Sequence, residues 1–292
     1  MNYLLSYISS IIILSAAITT SDAQTMFQLP FERTVSHVDI ELHHPTSISN
    51  VDMGLFSGEY LARGVFRITD DLQLGVELPV ALWSFSHPSG PVGLPATESH
   101  QGIGNIQLLG NMTFDSSRAM MVSAAIGLPT ASDDAIFNIF ADPWHLNRYF
   151  PHTFSGILEG MLSHNAQGLV VGASGGMEFY STSDTSIAFT NRSSDSVYNL
   201  DRTALYLTFS AGLAYENENI SIGARYRLLY YTGDPGPYSA TTNMVAAQLM
   251  FKSAGLHPTL TVEFPLDNEI SDVISPIINL RISVPFPSRK KE

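Results

Sequence analysis

The chain has 292 residues, no cysteine, and 27 acidic against 14 basic side chains, a formal net charge of −13. The missing cysteines exclude a disulfide framework and thiolate metal sites, and the acidic balance argues against a nucleic-acid partner held by phosphate neutralisation. Only 14% of the residues are charged, against a usual share of about 25%. Mean hydropathy is +0.10, yet the apolar residues are interleaved, with no interior run of about 18 that would cross a bilayer as a helix.

The first segment reads as an export signal. Ile11 to Leu14 open an apolar stretch that runs through Ala16, Ala17 and Ile18. Ser21-Asp22-Ala23 ends it with small residues at the positions a signal peptidase reads, which places cleavage after Ala23. A positively charged n-region is missing. The alternative, an uncleaved anchor helix, is disfavoured by the short run and by Asp22 close behind it. Residues 1–23 are therefore expected to be a signal peptide and 24–34 a leader. Residues 35–286 are expected to form a barrel, followed by a tail over 287–292.

From there the chain alternates. Val38, Ile40 and Leu42 interleave with Asp39, Glu41 and His43. Tyr60 to Ile68 and Leu72 to Leu82 form two arms of a hairpin around Thr69-Asp70-Asp71, each about ten residues or longer. That is near the span of a transmembrane strand and longer than a typical soluble one. The same period-2 pattern recurs near 105–114, 120–128, 154–163, 169–179, 205–215, 220–230, 245–252, 259–264 and 278–286. Period 2 places successive side chains on opposite faces of a strand. This predicts an all-β fold, an antiparallel transmembrane β-barrel of about twelve strands. Links after even strands are short and those after odd strands longer, the longest being Pro129 to His152. Such a pattern predicts short periplasmic turns and long extracellular loops, in the outer membrane of a Gram-negative-type bacterium.

A soluble sandwich also alternates; the aromatics favour the membrane. Phe66, Phe114, Tyr215, Phe251 and Phe286 fall on the apolar parity at one end of their strands, and Tyr60, Phe154, Phe179, Tyr230 and Phe264 at the other. Two such girdles suit two membrane interfaces, with outer-membrane lipid and lipopolysaccharide as the surrounding partners.

The strand charges take the opposite parity: Asp39, Glu41, Glu59, Arg63, Arg67, Glu77, Glu159, Glu178, Arg225, Arg227, Lys252, Glu263 and Arg281. On a barrel this is the lumen, which makes them expected pore-lining residues; the alternative is that they fill the interior by pairing. Asp39 and Glu41, on the first strand, are expected between the arginines of the second and twelfth. The long loop carries Phe137, Phe140, Trp144, Tyr149 and Phe150, expected either as a constriction over the mouth or as packing against neighbouring loops and headgroups. Asp133 or Asp134 is expected to cap a short helix stopped by Pro143. His87-Pro88-Ser89 offers a His and a Ser, without an evident orienting acid. His43 and His44 point to opposite faces of a strand and make a poor metal pair. No cofactor, metal site or catalytic residue is assigned.

Three segments carry a resemblance: RGVFRITDDLQLGVELPV (Arg63–Val80), GIGNIQLLGNMTF (Gly102–Phe114) and MVSAAIGLPTAS (Met121–Ser132). Together they resemble the outer-membrane family named for the meta-pathway of phenol degradation, over roughly 70 residues. That family has a Glu-Leu-Pro-like strand, a Gly-x-Gly-Asp strand and a strand ending in Leu-Pro-Thr-Gly. Here Asn105 replaces the usual Asp, Asn111 a frequent Lys and Ala131 a frequent Gly, and the chain extends beyond Phe286. The resemblance implies a twelve-stranded barrel that passes small aromatic or hydrophobic solutes. An outer-membrane lipid hydrolase and a purely structural barrel remain the alternatives.

Overall fold

The computed structural model describes residues 36–48, 52–87, 96–114, 120–141, 145, 148–183, 186–191, 194–199, 203–233, 240–252, 256–267, 271, 274 and 276–286. The expected signal peptide, leader and tail lie outside these residues, as do Pro88, Ser89 and Trp144.

The strands are β1 (Ser36–Pro45), β2 (Asp52–Met53), β3 (Gly58–Arg67), β4 (Leu72–His87), β5 (Ala96–Ile103), β6 (Gln107–Thr113), β7 (Met120–Gly127), β8 (Thr153–Ala166), β9 (Leu169–Thr182), β10 (Ser186–Asn191), β11 (Ser194–Asn199), β12 (Thr203–Glu216), β13 (Ile220–Tyr231), β14 (Thr241–Phe251), β15 (His257–Pro265) and β16 (Ile277–Phe286). Each of the twelve expected strands is present. The sheet runs β4-β3-β1-β16-β15-β14-β13-β12-β9-β8-β7-β6, and β4 pairs again with β6. It is therefore a closed antiparallel barrel of twelve positions, which leaves no sheet edge unpaired. No helix among the described residues is long and apolar enough to cross a membrane.

The fourth position of the barrel is a broken strand. β5 pairs with the upper part of β4 (Val80 opposite Ile103) and β6 with the lower part (Glu77 opposite Gln107). Two residues, Leu78 and Pro79, thus face three, Gly104 to Ile106, which is the one-residue excess of a β-bulge. Pro79 sits where a proline is tolerated, because its missing N–H falls opposite the bulge. Its carbonyl still accepts a 2.8 Å bond from the Gly104 amide. A Cβ on Gly104 would lie 2.6 Å from the Arg148 carbonyl oxygen, so the close approach requires glycine. The extra residue reverses parity: Glu98, His100 and Gly102 share the inner face above it, and Gln107, Leu109 and Asn111 below it.

Outward residues are exposed and apolar, among them Ile40, Leu74, Leu108, Ile126, Leu158, Leu207, Leu213, Ile222, Leu280 and Ile282. Among the described residues no Asp, Glu, Lys or Arg stands on the outer parity of a barrel strand, as a hydrocarbon environment requires. Phe66, Phe114, Tyr215, Phe251 and Phe286 are exposed at the short-turn end, and Phe154, Phe179, Tyr230 and Phe264 at the long-loop end.

The interior divides in two. Val65, Leu109, Ala125 and Ile157 pack together, and so do Met121, Met161, Val170 and Ala214, which gives β6–β9 and β12 an apolar inner face near the short turns. The charges concentrate on β16, β1, β3 and β4. Between β7 and β8 the chain turns inward through a 3-10 helix, Asp133–Phe140. Ser132 occupies its N-cap, not Asp133 or Asp134, which lie in the first turn; the helix ends at Ala141, before Pro143. The Ser132 hydroxyl makes no cap bond because it is engaged with β5, accepting from the Ile103 amide at 3.1 Å.

Candidate functional site

The site is the lumen, and strand register assembles it. β1 lies between β3 and β16, so Asp39 stands opposite Arg63 and Glu41 opposite Arg281. β3 pairs with β4, so Arg63 also stands opposite Glu77. The Arg63 guanidinium donates to Glu77 Oε2 from Nε (2.8 Å) and Nη2 (2.5 Å), and from Nη1 to Asp39 at 3.5 Å. Ser283 on β16 donates to the other Asp39 oxygen. His37 lies 3.2 Å from Asp39, and His43 lies between Glu41 (3.0 Å) and Glu59 (3.2 Å). His44, one residue on, points the other way and meets the Ser57 carbonyl. Of the ladder expected along one wall, Asp39, Arg63 and Glu77 are joined, with Arg281 opposite Glu41 by register, and Arg63, Glu59 and Glu77 are fully buried.

The long loop completes that wall from inside. Arg148 reaches Glu77 Oε1 at 2.9 Å, and the Tyr149 hydroxyl donates to Glu59 at 2.7 Å. These two side chains bind the loop to two carboxylates already held by β1 and β3. Asn105, at the bulge, braces it from outside. Its Oδ1 accepts from the Thr130 and Ala131 amides (3.0 and 2.9 Å), and its Nδ2 donates to the Phe150 carbonyl at 2.9 Å. The Asn105 and Tyr149 bonds replace bonds that these buried groups would make to water.

Toward the long loops the lumen is aromatic. Trp83 stacks on Phe85 with centroids 5.4 Å apart, and Phe137 from the 3-10 helix packs on Phe85 (5.6 Å) and His100 (3.9 Å). Trp83 Nε1 donates to Asn138 Oδ1 at 2.9 Å. Phe150 meets Tyr180 edge-on at 5.7 Å, and Tyr206 lies 6.0 Å from Tyr180 and 5.2 Å from Tyr231. Of the five loop aromatics, Phe137, Tyr149 and Phe150 are thereby drawn into the barrel. The Phe140 side chain and Trp144 lie outside the described residues.

The remaining expected residues take up other positions on the inner face. Arg225 pairs with Glu263 at 3.8 Å, Lys252 with Glu216 at 3.1 Å, and Arg227 with His145 at 3.0 Å. Arg225 and Arg227 lie on β13, four strands from β1, so they do not join the ladder. Glu159 and Glu178 project from β8 and β9. Arg67 pairs with Asp70 at the short-turn end. Sequence reasoning missed Arg148, His37, His43 as an ion-pair partner, Asn138, and the inner tyrosines Tyr180, Tyr206 and Tyr231. The tyrosines share parity with Glu178, Thr208 and Arg227, and that parity was the available signal.

No protein-family model matches the sequence, and no curated protein does. Among solved structures, the chain is similar to an outer membrane channel from Pseudomonas putida F1, with 15% identity over 92% of this chain and 100% of that one, at a TM-score of 0.53. A Pseudomonas putida toluene transporter aligns with 11% identity over 85% and 88% of the two chains, at 0.42. The translocator domain of an autotransporter from Neisseria meningitidis aligns with 7% identity over 98% and 95%, at 0.46. At such identities the likeness is one of fold, and the fold is that of an outer-membrane β-barrel.

Proposed function

We propose that the chain is an outer-membrane channel for passive passage of small molecules, aromatic or otherwise hydrophobic, directed to a Gram-negative-type outer membrane by a signal peptide over 1–23. The observation that carries this reading is the loop between β7 and β8. It is folded into the lumen, bound through Arg148 and Tyr149 to Glu77 and Glu59, and set between two aromatic clusters. A barrel that served only as a wall has no need of a loop built into its bore; a constriction with aromatic sides suits selection of flat apolar solutes. Lipid and lipopolysaccharide surround the apolar belt, with the short turns on the periplasmic side.

The resemblance of three segments to the meta-pathway family supports the same reading. Its three quoted segments fall on β3–β4, on the bulged β5–β6 and on β7 with the turn into the loop. Those strands are neighbours, and they supply Arg63, Glu77, Asn105 and Thr130, the frame that holds the loop in place. The test is conductance in planar bilayers and flux of small aromatic solutes into proteoliposomes, for the full chain and for a deletion of Ile136–Trp144. The deletion is expected to raise both. If neither protein passes any ion or aromatic solute, the lumen is plugged by its own side chains and the channel reading falls.

A further inference from the structure

The two charge signs are not presented equally to the lumen. On the β13–β14 side the bases are partly open and their acids are covered: the Arg225 side chain is 24% exposed against 10% for Glu263, and Lys252 22% against 4% for Glu216. Arg227 is half-buried, with its Nη1 3.0 Å from His145 Nε2. On the ladder side Asp39, Glu59 and Glu77 are buried beneath Arg63, Tyr149 and Arg148. Among the described strand residues three acids remain at least partly open on the inner face: Glu41, already held by His43 at 3.0 Å, Glu159 on β8 across the barrel, and the exposed Glu98 on β5 toward the long loops.

A second feature lies on the same strip. Arg281 on β16 stands between Glu41 on β1 and Thr259 on β15, and among the described residues it makes no ion pair. Its Nε, the Thr259 hydroxyl and Asn279 Oδ1 are buried without a hydrogen-bond partner. Thr259 is 5% exposed and Asn279 4%. Buried polar atoms of this kind are ordinarily satisfied. Arg281 and Thr259 stand opposite each other on paired strands, and an arginine N–H and a threonine O–H are both donors of the kind a carboxylate accepts from.

We infer that the favoured solute is a small aromatic carboxylate, whose anionic group passes along β13–β16 by way of Arg227, Arg225 and Arg281 while its ring is received by the aromatic clusters above. This rests on the channel reading. It also means that a chain of net charge −13 offers anions a path, because along β13–β15 each base is more open to the lumen than the acid it pairs with.

The experiment compares flux of benzoate, benzyl alcohol and benzylammonium through full-length protein in proteoliposomes, with folded barrel confirmed by heat-modifiable migration on a gel. Benzoate is expected to outpace benzylammonium. Arg281→Gln is expected to lower benzoate flux about tenfold, the size of one lost charge-assisted hydrogen bond, and to leave benzyl alcohol unchanged. Thr259→Val, which removes the neighbouring donor without touching a charge, is expected to lower benzoate flux about threefold. Benzylammonium moving as fast as benzoate, or both variants slowing all three probes alike, overturns the inference while leaving a channel in place. Absence of flux for every probe instead removes the channel reading itself.

Discussion

Arg148→Ala isolates the bond that ties the inward loop to the barrel wall. Removing one partner of a buried ion pair costs about 3–5 kcal/mol when the other is left alone. Glu77 is not left alone, because two nitrogens of Arg63 still hold its Oε2 at 2.5 and 2.8 Å. What is lost is the 2.9 Å contact on Oε1, so the cost to the closed loop is set nearer 2 kcal/mol. At about 1.4 kcal/mol per tenfold, the open population rises about thirtyfold. The chain has no cysteine, so a single reporter thiol reads this directly. Ala141→Cys is suitable, because Ala141 is fully buried in the cluster with Trp83, Phe85 and Ile48. Placing it in both backgrounds cancels its own effect on packing. Labelling with a small maleimide is expected to be about thirtyfold faster with Arg148→Ala. If the rate is unchanged in a barrel that still runs as folded, Arg148 does not hold the loop, and the constriction rests on the Asn105 braces instead.

Two further outcomes test the wall and its orientation. Leu207→Arg places a charge on the lipid face and should lower stability by about 2–4 kcal/mol in urea titration in detergent or bilayer, whereas Gln248→Arg, inside and half-buried, should cost much less; equal losses would refute the assignment of faces. In intact cells, a membrane-impermeant thiol reagent should label Leu55→Cys, exposed at the long-loop end, and spare Asn217→Cys in a short turn; the reverse pattern inverts the orientation.

The wall of the barrel was legible because each strand repeats the same two-faced rule along its whole length, seven to sixteen residues. Val76 and Glu77, or Leu280 and Arg281, declare their faces without reference to any other strand. The lumen was less legible. Arg148 and Glu77 meet across 71 positions of sequence, and nothing in the local pattern of either segment marks the other. The polar parity also hid an apolar half: Val65, Leu109, Met121 and Met161 stand on it and pack with one another. β5 escaped notice because ATESHQGI has no apolar alternation and because the bulge at 104–106 reverses the parity that β6 displays. The β10–β11 hairpin was missed for the first of these reasons. The ladder, in contrast, followed from closure alone: once the first and last strands are neighbours, Asp39 and Glu41 must lie between arginines.

That same closure bears on how the barrel is assembled. β1 and β16 pair residues as far apart as Ser36 and Phe286, the most distant contacts the wall contains and the costliest to bring together. Ser283 reaches Asp39, and Arg281 comes to stand opposite Glu41, only across that seam. Before it shuts, the acids of β1 lack half of their surroundings, and the carboxylates on β3 and β4 must wait for the loop. Closing the seam therefore supplies several polar partners in one event and has little to offer until it is complete. Insertion should proceed as an all-or-none final step, and a chain cut before β16 should stall as an open sheet, a target for periplasmic proteases, rather than settle into a barrel of eleven strands.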